Sequence, residues 1–236
     1  MNFLFKQEII DYDFLNTKKS DTILFLHGWG GNKFSFASTI NLLKNKYNIL
    51  TLTMPTIQNT TTSFDMFNYV NLIINLLCLH NVNNVIIVCH SFGFRIALLL
   101  KKFIKIKKIV VTGGAGFKKQ NFIKKIDIQN NKILLKQKRF KYLYNKITSD
   151  DYNKLSSINK ITFKNVVNFN LLLAKKFACP MLLFWGKRDC DTKPWIAKIL
   201  AKYNNAKLVM SNSNHFAYLN DNAKFNNEVI KFLNDC

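Results

Sequence analysis

At 236 residues and 27.5 kDa, with 48% hydrophobic residues and 21 Phe among them, the chain is long and apolar enough for one sizeable core, which excludes an intrinsically disordered protein. The formal charge of +22 comes mostly from lysine, since only Arg95, Arg139 and Arg188 are arginines. Together with abundant Asn, Ile and Phe, this reads as a solvated lysine-rich surface before it reads as an anion-binding face.

Taken in chain order, the N-terminal stretch has charges interrupting each apolar run, so no export signal is expected, and the segments around Phe5 to Asp11 and its neighbours are expected to add antiparallel edge strands. Thr22 to Leu26 is a short continuous apolar run stopped by His27-Gly28-Trp29-Gly30-Gly31, the pattern of a strand buried on both faces. Phe34 to Lys46 is spaced as a helix, Asn48 to Met54 as a strand that halts at Pro55, and Ser63 to Leu79 as a helix. Val85 to Cys89 is another buried strand, followed by a tight junction at Ser91, a helix from Phe92 to Lys102 and a strand from Lys107 to Thr112. This alternation predicts a mostly parallel sheet covered by helices.

From Gly113 to Phe177 the alternation stops and the sequence becomes lysine-rich, which predicts a helical lid inserted into a single domain, with a helix start at Ser149-Asp150-Asp151. Pro180 to Trp185, Ala206 to Met210 and the two intervening and final helical patterns, Trp195 to Tyr203 and Asn222 to Leu233, resume the alternation. The five cysteines show no metal-ligand spacing and read as free thiols of a reducing compartment, so a cytoplasmic location is expected.

The strongest chemical signal is Cys89-His90-Ser91-Phe92-Gly93, where a buried strand turns sharply into a helix. A serine there is presented above the sheet with a helix N-terminus beneath it, which favours developing negative charge. Read alone, such a serine is more often only a helix cap. Three further motifs accompany it: His27-Gly28-Trp29-Gly30, Trp185-Gly186-Lys187-Arg188-Asp189 at a strand end, and His215 before Phe216.

On these motifs the chain resembles the α/β-hydrolase superfamily from Asp21 to Leu233. The resemblance implies Ser91 as nucleophile, His215 as general base and Asp189 as its orienting acid, with the backbone N–H groups of Trp29 and Phe92 as oxyanion hole. It implies no metal or organic cofactor. Asp191 competes with Asp189, but the W-G-x-x-D spacing favours Asp189; His27 and His90 fall inside the other motifs as structural or pocket-lining residues.

The sequence departs from the family pattern at Cys89, where glycine is usual, at Thr53 to Gln58, which replaces a D-x-P-G-x-G loop, and at Asn214, another usual glycine. The implied activity is hydrolysis of a small-molecule carboxylic ester, Ser149-Asp150-Asp151-Tyr152 together with the region from Phe163 to Leu173 resembling the lids of small bacterial hydrolases. A carbon–carbon bond hydrolase, a thioesterase and a non-catalytic binder stay open on the same scaffold. No nucleic-acid motif is present; the lysine-rich stretch from Lys101 to Lys146 allows weak association with an anionic membrane surface.

Overall fold

A computed structural model describes residues 1–58, 60–116, 155–169 and 176–235. The elements are numbered as they occur among them. Eight strands form one sheet in the order β1-β2-β4-β3-β5-β6-β7-β8, with β1 (Asn2–Phe5), β2 (Glu8–Leu15), β3 (Thr22–Leu26), β4 (Asn48–Leu52), β5 (Val85–His90), β6 (Ile106–Thr112), β7 (Met181–Gly186) and β8 (Lys207–Ser211). From β4 to β8 all neighbours are parallel, and β1 and β2 form an antiparallel edge.

Strands β3, β4, β5 and β7 are buried along their whole length because helices cover both faces. Alternate side chains then serve two separate cores, as the strand period of two requires. Leu24, Leu26, Ile87 and Cys89 pack under α2 (Met66–Leu79), α3 (Phe92–Leu100) and α5 (Pro194–Asn204). Ile23, Phe25, Ile86 and Val88 pack under α1 (Ala37–Leu43), α6 (Ala217–Asn220) and α7 (Asn222–Asn234). Helix α2 is entered through a reciprocal capping box between Asp65 and Asn68.

The strand order reverses around β3, since β4 lies on one side of it and β5 on the other. Loops leaving the C-terminal ends of β3 and β5 therefore diverge and leave a crevice between them, the usual ligand position of an open α/β sheet.

The antiparallel edge strands expected around Phe5 to Asp11 are β1 and β2, and Lys6 and Gln7, with φ values of 49° and 67°, turn the chain from one into the other. Other sequence expectations need correction. Helix α1 begins at Ala37 rather than Phe34, because residues 32–36 form turns stapled by Asn32 Oδ1, which accepts the Phe34 N–H. The short helix α6 was not foreseen.

Of the expected lid over residues 113–177, the described part contains one helix, α4 (Ser157–Asn168), started by the Ser156 hydroxyl accepting the Asn159 N–H. The expected helix start at Ser149-Asp150-Asp151 and most of the lysine-rich stretch lie outside the described residues. No helix among the described residues is long and apolar enough to cross a membrane.

Candidate active site

Strand β5 delivers Ser91 to the crevice in a backbone conformation, φ 46° and ψ −106°, that L-residues other than glycine rarely adopt. The strain is held by neighbours on both sides: Ser91 N–H donates to Thr112 O at 3.1 Å, and Ser91 O accepts from Phe94 N and Ala115 N. Its side chain makes no capping bond to α3, so the helix-cap reading does not describe it. Gly93 explains why the turn can be so tight, since a Cβ there would stand 2.2 Å from Leu26 O. Cys89, at the other flank, is fully buried with its Sγ 3.5 Å from Val110 O, so the non-glycine residue is absorbed by the core beneath the elbow.

The loop after β3 is fixed by His27. Its Nδ1–H donates to Gly28 O at 2.6 Å and its Nε2 accepts the Met54 N–H at 2.8 Å, which assigns the neutral tautomer. Burial pushes its pKa down from 6.5 to about 4. Gly28 lies against His90, whose Nδ1 would be 2.5 Å from a Cβ, and Gly30 at φ 76° turns the chain away. The Trp29 N–H has no acceptor among the described residues. The Phe92 N–H stands at the first position of α3, where no intrahelical acceptor exists. The Trp29 ring is T-shaped against Phe92 at 5.6 Å and against Phe163 of α4 at 5.2 Å.

Asp189 and His215 meet at the ends of β7 and β8. His215 Nδ1–H donates to Asp189 Oδ2 at 2.9 Å, and the same oxygen accepts the Thr192 hydroxyl at 2.8 Å. Asp189 Oδ1 accepts the N–H groups of Asp191 and Thr192. Burial alone would raise the Asp189 carboxyl, but the hydrogen bond from and charge of His215, with the Thr192 donors, outweigh it and hold the group below its usual range. Asp191 is exposed.

Ser91 Oγ and His215 are not hydrogen-bonded among the described residues, yet they share neighbours. His90, adjacent to Ser91, donates from Nε2 to His215 O at 3.2 Å and packs ring to ring with it at 4.7 Å. Gly113, between the two residues that bond the Ser91 backbone, would carry a Cβ 3.0 Å from the His215 ring. Burial, then the nearby charge of His215, drive the His90 pKa down to about 3, so its ring stays neutral.

Asp189, Asp191 and His215 also present ligand atoms within 4.8 Å of one another, the spacing of a metal site. The Asp189 oxygens already accept four hydrogen bonds, which uses the lone pairs a cation would need. The donor set fits an oriented imidazole better than an ion. Sequence reasoning missed Thr192 and the bond from His90 to His215; the D-x-D-T spacing, an Asx-type turn, was the one available signal for Thr192.

Helix α4 is fastened beside the site by one polar face. Thr60 donates to Asn159 Oδ1, Asn159 Nδ2 to Gln58 O, Phe64 N to Thr162 Oγ1, and Asn165 Nδ2 to Phe64 O. At its far end Arg95 of α3 donates to Val166 O and Phe169 O, where a cation complements the helix C-terminus.

Comparison with solved structures identifies the architecture. An esterase from Exiguobacterium antarcticum superposes with a TM-score of 0.72 at 15% identity, covering 96% of each chain. MGS-M2, an α/β-hydrolase enzyme from a Medee basin deep-sea metagenome, superposes with a TM-score of 0.71 at 19% identity over 100% of this chain and 98% of its own. This chain has the α/β-hydrolase fold. No protein-family model matches the sequence of this α/β-hydrolase-fold protein. A Mycoplasma genitalium protein named "Putative esterase/lipase 2" is 31% identical over 101 residues, 41% of this chain and 38% of that one. The chain matches about two-fifths of the length of such curated relatives.

Proposed function

We propose that this protein is a serine hydrolase that cleaves a carboxylic ester through an acyl-enzyme intermediate. The observation that carries this reading is Ser91, held in a strained turn with its hydroxyl free of hydrogen bonds among the described residues, beside His90 and Gly113, which both pack on His215 of the hydrogen-bonded pair Asp189–His215. In the reaction, Ser91 Oγ attacks the ester carbon while His215 Nε2 takes its proton. The tetrahedral oxyanion is received by the Trp29 and Phe92 N–H groups. His215 then gives the proton to the departing alkoxide, leaving an acyl group on Ser91. A water molecule, deprotonated by His215, attacks the acyl carbon, and the acid leaves as Ser91 recovers its proton.

Asp189 keeps the Nδ1–H tautomer of His215 and steadies its positive form, for which its own depressed pKa suits it. Trp29, Phe92 and Phe163 make an aromatic wall, with Tyr69 packed behind Phe92, which favours an apolar acyl group. Helix α4 belongs to a lid over that wall. A relative named as a putative esterase/lipase and a structural neighbour named as an esterase point the same way. Cys78, Cys89, Cys179 and Cys190 are free thiols, which fits residence in a reducing cytoplasm.

The test is covalent labelling of the purified protein with a fluorophosphonate probe. Labelling lost in both Ser91→Ala and His215→Ala supports the reading; a folded wild type that stays unlabelled turns it into a ligand-binding protein on a hydrolase scaffold.

A further inference from the structure

The segment after β4, Thr53 to Gln58, departs from the D-x-P-G-x-G pattern at every position the pattern names except Pro55. Each replacement puts a side-chain oxygen to use. Thr53 Oγ1 accepts the Lys33 N–H at 3.2 Å, Thr56 Oγ1 accepts the Gly30 N–H at 3.2 Å, and Gln58 Oε1 accepts the Thr56 N–H at 2.9 Å. Glycine at positions 56 and 58 has no side chain that could make the last two bonds, so they belong to this chain and not to the pattern.

The bond to Gly30 falls at a sensitive place. Gly31 N–H donates to Gly28 O at 3.0 Å and closes a turn whose central residues are Trp29 and Gly30. Gly30 has φ 76° while Trp29 is not among the residues of positive φ, which makes the turn type II. The Gly30 N–H belongs to the central peptide of that turn, and rotating this plane converts type II into type I, changing ψ at Trp29 by about 150°. The Trp29 N–H lies on the other side of the same Cα, so its aim depends on the plane being held. Thr56 is fully buried, and no solvent stands ready to replace its hydroxyl as acceptor.

The hold continues into helix α4. Gln58 O accepts Asn159 Nδ2 at 2.6 Å, and Asn159, itself 1% exposed, accepts the Thr60 hydroxyl at 2.6 Å. The Trp29 ring meets Phe163 of the same helix. The turn is therefore gripped from α4 twice, by a hydrogen-bonded chain and by a ring contact.

We propose that Thr56 is a positioning residue of the oxyanion hole: its hydroxyl holds the Trp29–Gly30 peptide in the orientation that aims the Trp29 N–H at the oxyanion, and Gln58 holds Thr56 from the side of α4. The inference rests on the serine-hydrolase reading with Trp29 as a donor. Thr56 touches no reacting atom and acts through Trp29. Such a donor meets its full charge only in the transition state, so loss of the hydroxyl lowers kcat and leaves KM nearly unchanged.

The experiment is steady-state hydrolysis of 4-nitrophenyl butanoate, with inhibition by an alkyl trifluoromethyl ketone, whose adduct on serine carries the oxyanion. In Thr56→Val, which keeps the shape and removes the acceptor, kcat should fall about tenfold, KM should stay within about twofold, and ketone affinity should fall about tenfold. Thr56→Ser should recover most of the loss, and Gln58→Met should lose about threefold in kcat with the same unchanged KM. Thr61→Val removes from the same segment a hydroxyl that donates to Glu8 at 2.8 Å without reaching the turn, and should keep wild-type values. Wild-type kcat and ketone affinity in Thr56→Val, an equal loss in Thr61→Val, or no recovery in Thr56→Ser overturns the assignment. Should Thr56→Val fail to fold, Gln58→Met decides by the same split between kcat and KM. A folded wild type that neither labels with fluorophosphonate nor turns over the ester defeats the hydrolase reading and this inference with it, whereas an active wild type with an indifferent Thr56→Val defeats this inference alone.

Discussion

Gly186 and Asn214 approach so closely that a methyl group on the glycine would stand 2.1 Å from the Asn214 carbonyl oxygen. This contact presses the loop after β8 onto the end of β7, one residue before His215 and three before Asp189. Gly186→Ala forces the loop outward and separates the pair. The expected result is a folded protein whose ester kcat/KM falls about a hundredfold, the scale of a small misplacement of a catalytic group. Circular dichroism and steady-state kinetics on the same samples check it; an unchanged kcat/KM would refute the role of the contact.

Thr192 donates its hydroxyl to the Asp189 oxygen that also receives His215. Removing that donor in Thr192→Val should lower kcat about tenfold, near 1.4 kcal/mol, with KM little changed. Because the hydroxyl helps hold the carboxyl below its usual range, the Asp189 titration should move upward in the variant, and Thr192→Ser should restore it. Carboxyl carbon NMR titration reads the shift directly; a lowered kcat without that movement would assign the effect to packing.

How much of this was legible in the sequence follows from which forces are local. The run from Thr22 to Leu26 and its glycine stop, or the apolar strand before Ser91, are local patterns, and β3 and β5 lie where those patterns put them. The turn at Lys6-Gln7 was hidden because neither residue is a glycine or asparagine, although both adopt positive φ. The bond from His90 to His215 joins residues 125 positions apart and has no sequence pattern of its own. The proximity of Asp189 to His215 is likewise tertiary, and was legible only through the family resemblance.

Buried neutral histidines give the fold an acid limit. His27 and His90 have folded pKa values of about 4 and about 3 against an ordinary 6.5, so below 6.5 the unfolded chain binds more protons than the native one. Their contribution is therefore fully present above about pH 6.5 and drains away as pH falls towards those folded values. Urea midpoints measured from pH 7 downward should decline from about 6.5, well before Asp and Glu titrate, and less steeply in His90→Leu. Identical slopes in the variant and wild type would contradict this.

Arg95 ties α3 to the end of α4 through the Val166 and Phe169 carbonyls. Arg95→Met keeps much of the buried volume but leaves those carbonyls without their donor, at a cost of about 1–3 kcal/mol. A lower Tm and faster proteolytic cutting within residues 155–169 are expected. Cutting at the wild-type rate would show that the polar contacts to residues 58–64 suffice to hold the helix.

Strands β6 and β7 pair directly, Ile109 with Met181 through to Thr112 with Phe184, although residues 113 to 180 run between them. The sheet closes its rungs as though that chain were absent, and closing a longer or shorter excursion changes the entropy of the fold only slowly. Beyond residues 113–115, which brace Ser91 and pack on His215, this interval can therefore change in length and sequence over generations while the strand pairing is kept. Descendants of one such gene can then diverge over that interval while inheriting the same strand framework around Ser91, Asp189 and His215, and the two parts are open to selection at different rates.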